Sequence, residues 1–185
     1  MADELDFTSL FSAQHKVAEP APSADALRGI DELGTIGEAK LKSSGFYTRI
    51  VSAAPAGRAR APAETLVLIV EDDELTGSLI ETVLRTMGYP TRRARNRDDI
   101  ARGLAARPTP NLVLLDVMLP DVNGFDVLNR MRQHIMLRNI PVLMLTSLSE
   151  RKDIAKGLLL GANGYISKPA LPSTLIDAVQ AIVAG

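Results

Sequence analysis

Neither cysteine nor tryptophan occurs in the 185 residues, and the aromatic complement is four Phe and three Tyr. Without cysteine there can be no disulfide framework, no thiolate metal site and no cysteine nucleophile. Charge of one sign is also missing: 21 Lys and Arg face 22 Asp and Glu, for a formal net charge of −1. That balance argues against a general electrostatic hold on nucleic acid or on acidic membrane surfaces. No apolar run reaches the ~18 consecutive residues that a membrane span needs. The opening MADELDFTSLFSA is acidic and has no basic region ahead of an apolar run, so no signal peptide is expected. A soluble, cytoplasmic protein is the resulting expectation. What the chain does have is an apolar fraction of 46%, enough for a real core, and length for one ordinary domain plus an extension.

Composition changes near residue 64. Residues 1–38 carry eight acidic side chains against Lys16 and Arg28, a net of −6 (two minus eight), whereas residues 39–64 set Lys40, Lys42, Arg49, Arg58 and Arg60 against Glu64. The stretch SAAPAGRARAPA, residues 52–63, is small, basic and proline-bearing, and reads as a linker. Upstream, Ser23 could cap a helix carrying Leu27, Ile30, Leu33 and Ile36, although Gly29, Gly34 and Gly37 interrupt it. Residues 1–64 are therefore expected to be a partly helical or disordered extension, and 65–185 the folded domain.

From residue 65 the pattern sharpens. LVLIV (66–70) is a short, continuous apolar run rich in β-branched residues, as in a strand buried on both faces. Leu75, Leu79, Ile80, Val83, Leu84 and Met87 then recur at helical spacing until Gly88 stops them. The alternation repeats, with strands near 90–94, 111–116, 141–146 and 164–167 and helices over 97–106, 124–133, 149–160 and 171–183. Five strands alternating with five helices predict an α/β fold, a doubly wound parallel sheet with helices on both faces. In such sheets the ligand site lies beyond the carboxyl ends of the strands.

Those ends are polar where the strands are apolar. The first strand runs into Glu71, Asp72, Asp73 and Glu74, the third into Asp116, the fourth into Thr146 and Ser147, and the fifth into Ser167, Lys168 and Pro169. Carboxylates, a hydroxyl and an ammonium at one edge suit a hard, oxygen-seeking cation such as Mg²⁺ together with a phosphoryl group. A carboxylate can act as the nucleophile toward phosphorus when cations screen its charge and that of the donor.

The segments LVLIVEDDE, LVLLDVMLPDVNGFDVL, PVLMLTS and GANGYISKP, in that order and at that spacing, resemble the receiver domains of bacterial two-component response regulators. The resemblance covers about residues 65–185, and four motifs in register make it far more specific than any one of them. It implies the flavodoxin-like, CheY-like strand order 2-1-3-4-5. It makes Asp116 the phosphoacceptor and Glu71 with Asp72 the acidic pair for Mg²⁺, with the backbone carbonyl of Met118 as a further ligand. Lys168 matches the family's phosphate-binding lysine, Thr146 its switch hydroxyl and Tyr165 its switch aromatic, and the Lys168–Pro169 bond would be cis. The implied partners are a sensor histidine kinase or a histidine phosphotransfer protein as donor. A downstream protein would dock on the face made by helix four, strand five and helix five. Membrane and nucleic acid are not expected partners, and no turnover enzyme is expected beyond self-phosphorylation and autodephosphorylation.

Neither His15 nor His134 sits in a kinase or phosphotransfer context, so the phosphohistidine donor is expected to be another protein. A phosphohydrolase using Asp116 would want a second carboxylate two residues on as general acid, and Met118 stands there. A DNA-binding regulator acting through residues 1–64 lacks a helix-turn-helix pattern to support it. TRRARNR (91–97) reads as a solvated face. Leu158, Leu159 and Leu160 cannot all face a sheet, and the last helix carries a single charge, Asp177, which leaves a face suited to docking. Since the sequence given ends with that helix, output is expected through docking or through residues 1–64. Apolar Met118 and Leu148, each two residues past a site residue, bear on the dephosphorylation rate.

Overall fold

Why the apolar runs become strands is visible in their burial: every residue of 67–70, 112–116 and 142–146 is buried, which only an inner strand covered on both faces allows. The computed structural model describes residues 32, 35–40, 43–44, 46–48, 61–147, 151–168 and 174–183. The strands are β1 (Phe46–Thr48), β2 (Val67–Val70), β3 (Thr91–Ala94), β4 (Leu112–Asp116), β5 (Val142–Thr146) and β6 (Gly164–Ser167). The helices are α1 (Glu74–Thr86), α2 (Arg97–Ala105), α3 (Gly124–Gln133), α4 (Arg151–Leu159) and α5 (Leu175–Val183). Residues 35–40 are also helical, whereas the expected cap at Ser23 lies outside the described residues.

The sheet order is β1-β6-β5-β4-β2-β3, parallel from β6 to β3. Renumbered from β2, that is the expected 2-1-3-4-5. One strand departs from expectation. β1, from the segment upstream of the linker, adds antiparallel to β6, pairing Phe46 with Ile166, Tyr47 with Tyr165 and Thr48 with Gly164. The sheet therefore has six strands where five were predicted.

Because successive strand side chains point to opposite faces, the core divides in two. Leu68, Val113, Leu115, Val142, Met144 and Tyr165 meet Ile100 and Leu104 of α2, Leu128 and Met131 of α3, and Ile154 and Leu158 of α4. Val67, Ile69, Leu114, Leu143, Leu145 and Ile166 meet Ile80 and Leu84 of α1 and Leu175 and Val179 of α5. Of the three consecutive leucines, Leu158 is buried, Leu160 packs against the core edge and Leu159 is exposed. Helix starts are set by side-chain caps: Asp73 accepts from Thr76 N at 2.8 Å, Asn96 from Asp99 N at 2.9 Å and Asn123 from Phe125 N at 2.9 Å. Gly88, at φ +85°, ends α1 as its sequence position suggested.

The arginine run is a solvated face only in part: Arg95 and Arg97 are exposed, but the first two arginines are not. Arg92 and Arg93 are half-buried on opposite sides of β3. Arg92 donates to the carbonyls of Gly103, Ala106 (3.1 Å) and Pro108 (3.3 Å), and Arg93 donates to Glu74 and to Ser78 Oγ, both at 3.0 Å. An edge strand lets long stems lie over the neighbouring helices while their guanidinium groups bind carbonyls, so these charges close the sheet edge.

Candidate phosphoryl and metal site

Parallel strands β2, β4 and β6 end at the same edge of the sheet, with β5 between the last two, and residues at or just after their ends bring four charged groups together. Asp116 terminates β4 and is only 3% exposed, and Glu71, directly after β2, is fully buried. Lys168 follows β6, and its Nζ donates to Asp116 Oδ2 at 2.7 Å and to Glu71 Oε1 at 2.9 Å. It also lies 2.9 Å from Glu71 Oε2, which accepts no hydrogen bond. Met118 N donates to Asp116 Oδ1 at 3.1 Å, which fixes the carboxylate's orientation. Burial pushes the Glu71 carboxyl above its ordinary value; Lys168 counters this and the Asp116 carboxylate adds to it. Burial works to lower the Lys168 ammonium, but its hydrogen bonds to Asp116 and Glu71 prevail and raise it. Lys168 is thus held charged between two acidic groups.

Asp72 is exposed, yet oxygens of Glu71, Asp72 and Asp116 all lie within 4.8 Å of one another. Three hard oxygen donors that close, with one Glu71 oxygen lacking a hydrogen bond, fit a single divalent ion such as Mg²⁺. Three carboxylates against one ammonium leave surplus negative charge for such an ion to offset. The Met118 side chain is exposed, and its backbone bridges to Asn123 across the turn after β4.

Thr146 ends β5 at 2% exposure, one residue beyond Leu145, the register partner of Asp116. Tyr165 is not among the carboxylates. Its ring is buried beneath α4, where its hydroxyl donates to Asp153 O at 2.9 Å. Pro169, Leu148 and His15 lie outside the described residues, and with them the expected cis bond; the cis peptide among the described residues is Arg107–Pro108. His134 caps the end of α3 and accepts from Met136 N at 3.2 Å through Nδ1.

Two glycines escaped sequence reasoning. A Cβ at Gly124 would stand 2.2 Å from Asp116 O and 2.9 Å from Val117 Cα, so the start of α3 packs onto the backbone that carries Asp116. A Cβ at Gly157 would stand 1.8 Å from the Tyr165 hydroxyl, so α4 admits the buried ring only because residue 157 has no side chain. The Asn-Gly pair at 123–124 was a local signal for the first; nothing local marks the second.

The family model described as "Response regulator receiver domain" matches residues 67–180. The chain belongs to the response regulator receiver family. Among this receiver's curated relatives, the transcriptional regulatory protein GltR of Pseudomonas aeruginosa is 36% identical over 117 residues, covering 63% of this chain and 48% of GltR. The DNA-binding dual master transcriptional regulator RpaA of Synechocystis is 36% identical over 118 residues, again 63% of this chain and 48% of the relative. Among solved structures, chemotaxis protein CheY4 of Vibrio cholerae matches with a TM-score of 0.59 at 28% identity, covering 64% of this chain and 98% of that one. The receiver spans about half the length of the curated relatives it matches. Relatives named as DNA-binding regulators give no support to the expectation that nucleic acid is absent from the partners. Among the described residues, no helix is long and apolar enough to cross a membrane.

Proposed function

We propose that Asp116 accepts a phosphoryl group from a phosphohistidine of a partner kinase or phosphotransfer protein, and that the modification switches a protein-docking face. The observation carrying this reading is the Lys168 ammonium placed 2.7 Å from one Asp116 oxygen and 2.9 Å from Glu71 at the mouth of three strand ends. An Asp116 oxygen attacks phosphorus, the phosphorus–nitrogen bond breaks, and the departing imidazole keeps the electron pair and takes up a proton. Lys168 pairs with the phosphoryl oxygens as their charge shifts toward Asp116. Glu71 and Asp72, with Asp116 and the Met118 carbonyl, would hold Mg²⁺. Bound there, the ion supplies charge screening between the nucleophile and the incoming phosphoryl group. Thr146, at the end of the neighbouring strand, offers its hydroxyl to the product's new oxygens, and Tyr165 follows as the switch aromatic.

Residues 65–185 are proposed as the switching unit, 1–64 as the extension, and the α4–β6–α5 side as the output face. Intact mass after treatment with acetyl phosphate and Mg²⁺ tests the centre of this reading. The native chain is expected to gain one phosphoryl group and the Asp116→Asn variant none. An equal gain in both would overturn it.

A further inference from the structure

At the far edge of the sheet β6 is not open. The extension contributes β1, and one three-residue strand closes both layers at once. Phe46 packs with the cluster holding Ile166, Leu175 and Val179 on the α5 side. Tyr47, the next residue, packs with the cluster holding Tyr165, Ile154 and Leu158 on the α4 side. Gly37, buried in the helical stretch 35–40, fits the same corner: a Cβ there would come 2.6 Å from Ile154 Cγ2 and 3.3 Å from Tyr47 Cδ1. Helical stretch, strand and α4 therefore interlock, and this face is covered by the chain itself.

We infer that β1 is a tethered latch: it occupies the α4–β6–α5 face while Asp116 is unmodified, and phosphorylation releases it to uncover that face for a partner protein. The inference rests on the proposed role of Asp116. Three observations carry it further. The latched strand lies against β6, whose next residue is Lys168, so the group that holds the phosphoacceptor is continuous with the strand that holds the latch. Thr146 pairs in register with Ser167, which puts the other group facing a new phosphoryl oxygen on the opposite edge of β6. Tyr47 closes over Tyr165, whose hydroxyl is tied to Asp153 of α4, so movement of β6 or α4 breaks that closure. A three-residue strand has little holding power alone and is suited to reversible docking. Being tethered, it competes with any partner at an effective concentration on the order of millimolar.

Hydrogen–deuterium exchange of the full chain, with and without acetyl phosphate and Mg²⁺, tests the latch, with intact mass recorded on the same samples. Phosphorylated chains are expected to exchange at least ~10-fold faster at residues 46–48 and 164–167. A Phe46→Asp/Tyr47→Asp variant is expected to exchange that fast without phosphodonor. By reciprocity it should reach a phosphorylated fraction at least about threefold higher at limiting donor. Gly37→Val, which forces the corner apart without adding charge, should move both readouts the same way. Mass gained with unchanged or stronger protection at 46–48 overturns the latch and leaves Asp116 standing. No mass gained in any chain overturns both.

Discussion

At the scale of single residues, the least expected constraint is the empty place on Gly157. The Tyr165 hydroxyl fills it, and Gly157→Ala would put a methyl carbon 1.8 Å from that oxygen. The ring must then leave its pocket, at an expected cost of roughly 1–3 kcal/mol, read by urea denaturation. With no tryptophan in the chain, the change in tyrosine emission against a Tyr165→Phe control follows the same displacement. Tyr165 also gives a pH signature. Burial raises its phenol above the ordinary value of 10.0, and the Asp153 charge adds to this. A group whose folded value is raised stabilises below the unfolded value and loses that contribution as pH climbs past it. The native chain should therefore begin to lose its stability advantage over Tyr165→Phe at about pH 10 and go on losing it as pH rises further. An advantage that stays constant through that rise would mean the phenol is not buried as described.

At the scale of elements, the turn from β4 into α3 does the aiming. Met118 N and the close approach of Gly124 together hold Asp116, because a Cβ at 124 would press on the Asp116 carbonyl oxygen at 2.2 Å. That neighbour is backbone and cannot rotate away. Gly124→Ala is expected to cost ~1–3 kcal/mol in urea denaturation and to slow phosphoryl uptake by acetyl phosphate together with it. Full stability with slowed uptake would instead confine the glycine to the chemistry. The three inner strands and the end of α1 were legible because their signals are local: LVLIV, LVLLD and VLMLT have no polar interruption to permit exposure, and Gly88 stops α1 where φ turns positive. The carboxylate pair and Lys168 were legible because strand ends in a doubly wound sheet converge. β1 was not legible, since three residues, FYT, show no period and acquire strand geometry only from the edge of β6, over a hundred residues away. The first half of TRRARNR misled for a related reason: a charge count cannot see that Arg92 has the carbonyls of Gly103 and Ala106 within reach. Gly157 was silent because its constraint is another element's ring.

At the scale of the whole molecule, the site couples to global stability because it ties together strands β2, β4 and β6 and exists only in the folded chain. Glu71 and Asp116 are buried side by side with one shared ammonium, so the fold carries an uncompensated repulsion that a divalent ion would relieve. Any ion that binds only the native state stabilises it by mass action, ~2.7 kcal/mol at a hundredfold excess over Kd. For a chain of this size that corresponds to a rise in Tm of roughly 5–10 °C. Asp72 separates this effect from simple screening: it is exposed, so Asp72→Asn should alter the metal-free stability by no more than ~0.5 kcal/mol. The same change should remove most of the Mg²⁺-dependent rise, because it takes the charge from one of three carboxylates whose oxygens lie within 4.8 Å of one another. Thermal unfolding of both chains over a Mg²⁺ series, at constant ionic strength, decides the matter without any phosphodonor. An equal rise in the two would place the ion elsewhere, and no rise in either would leave Lys168 as the sole counter-charge of the carboxylates.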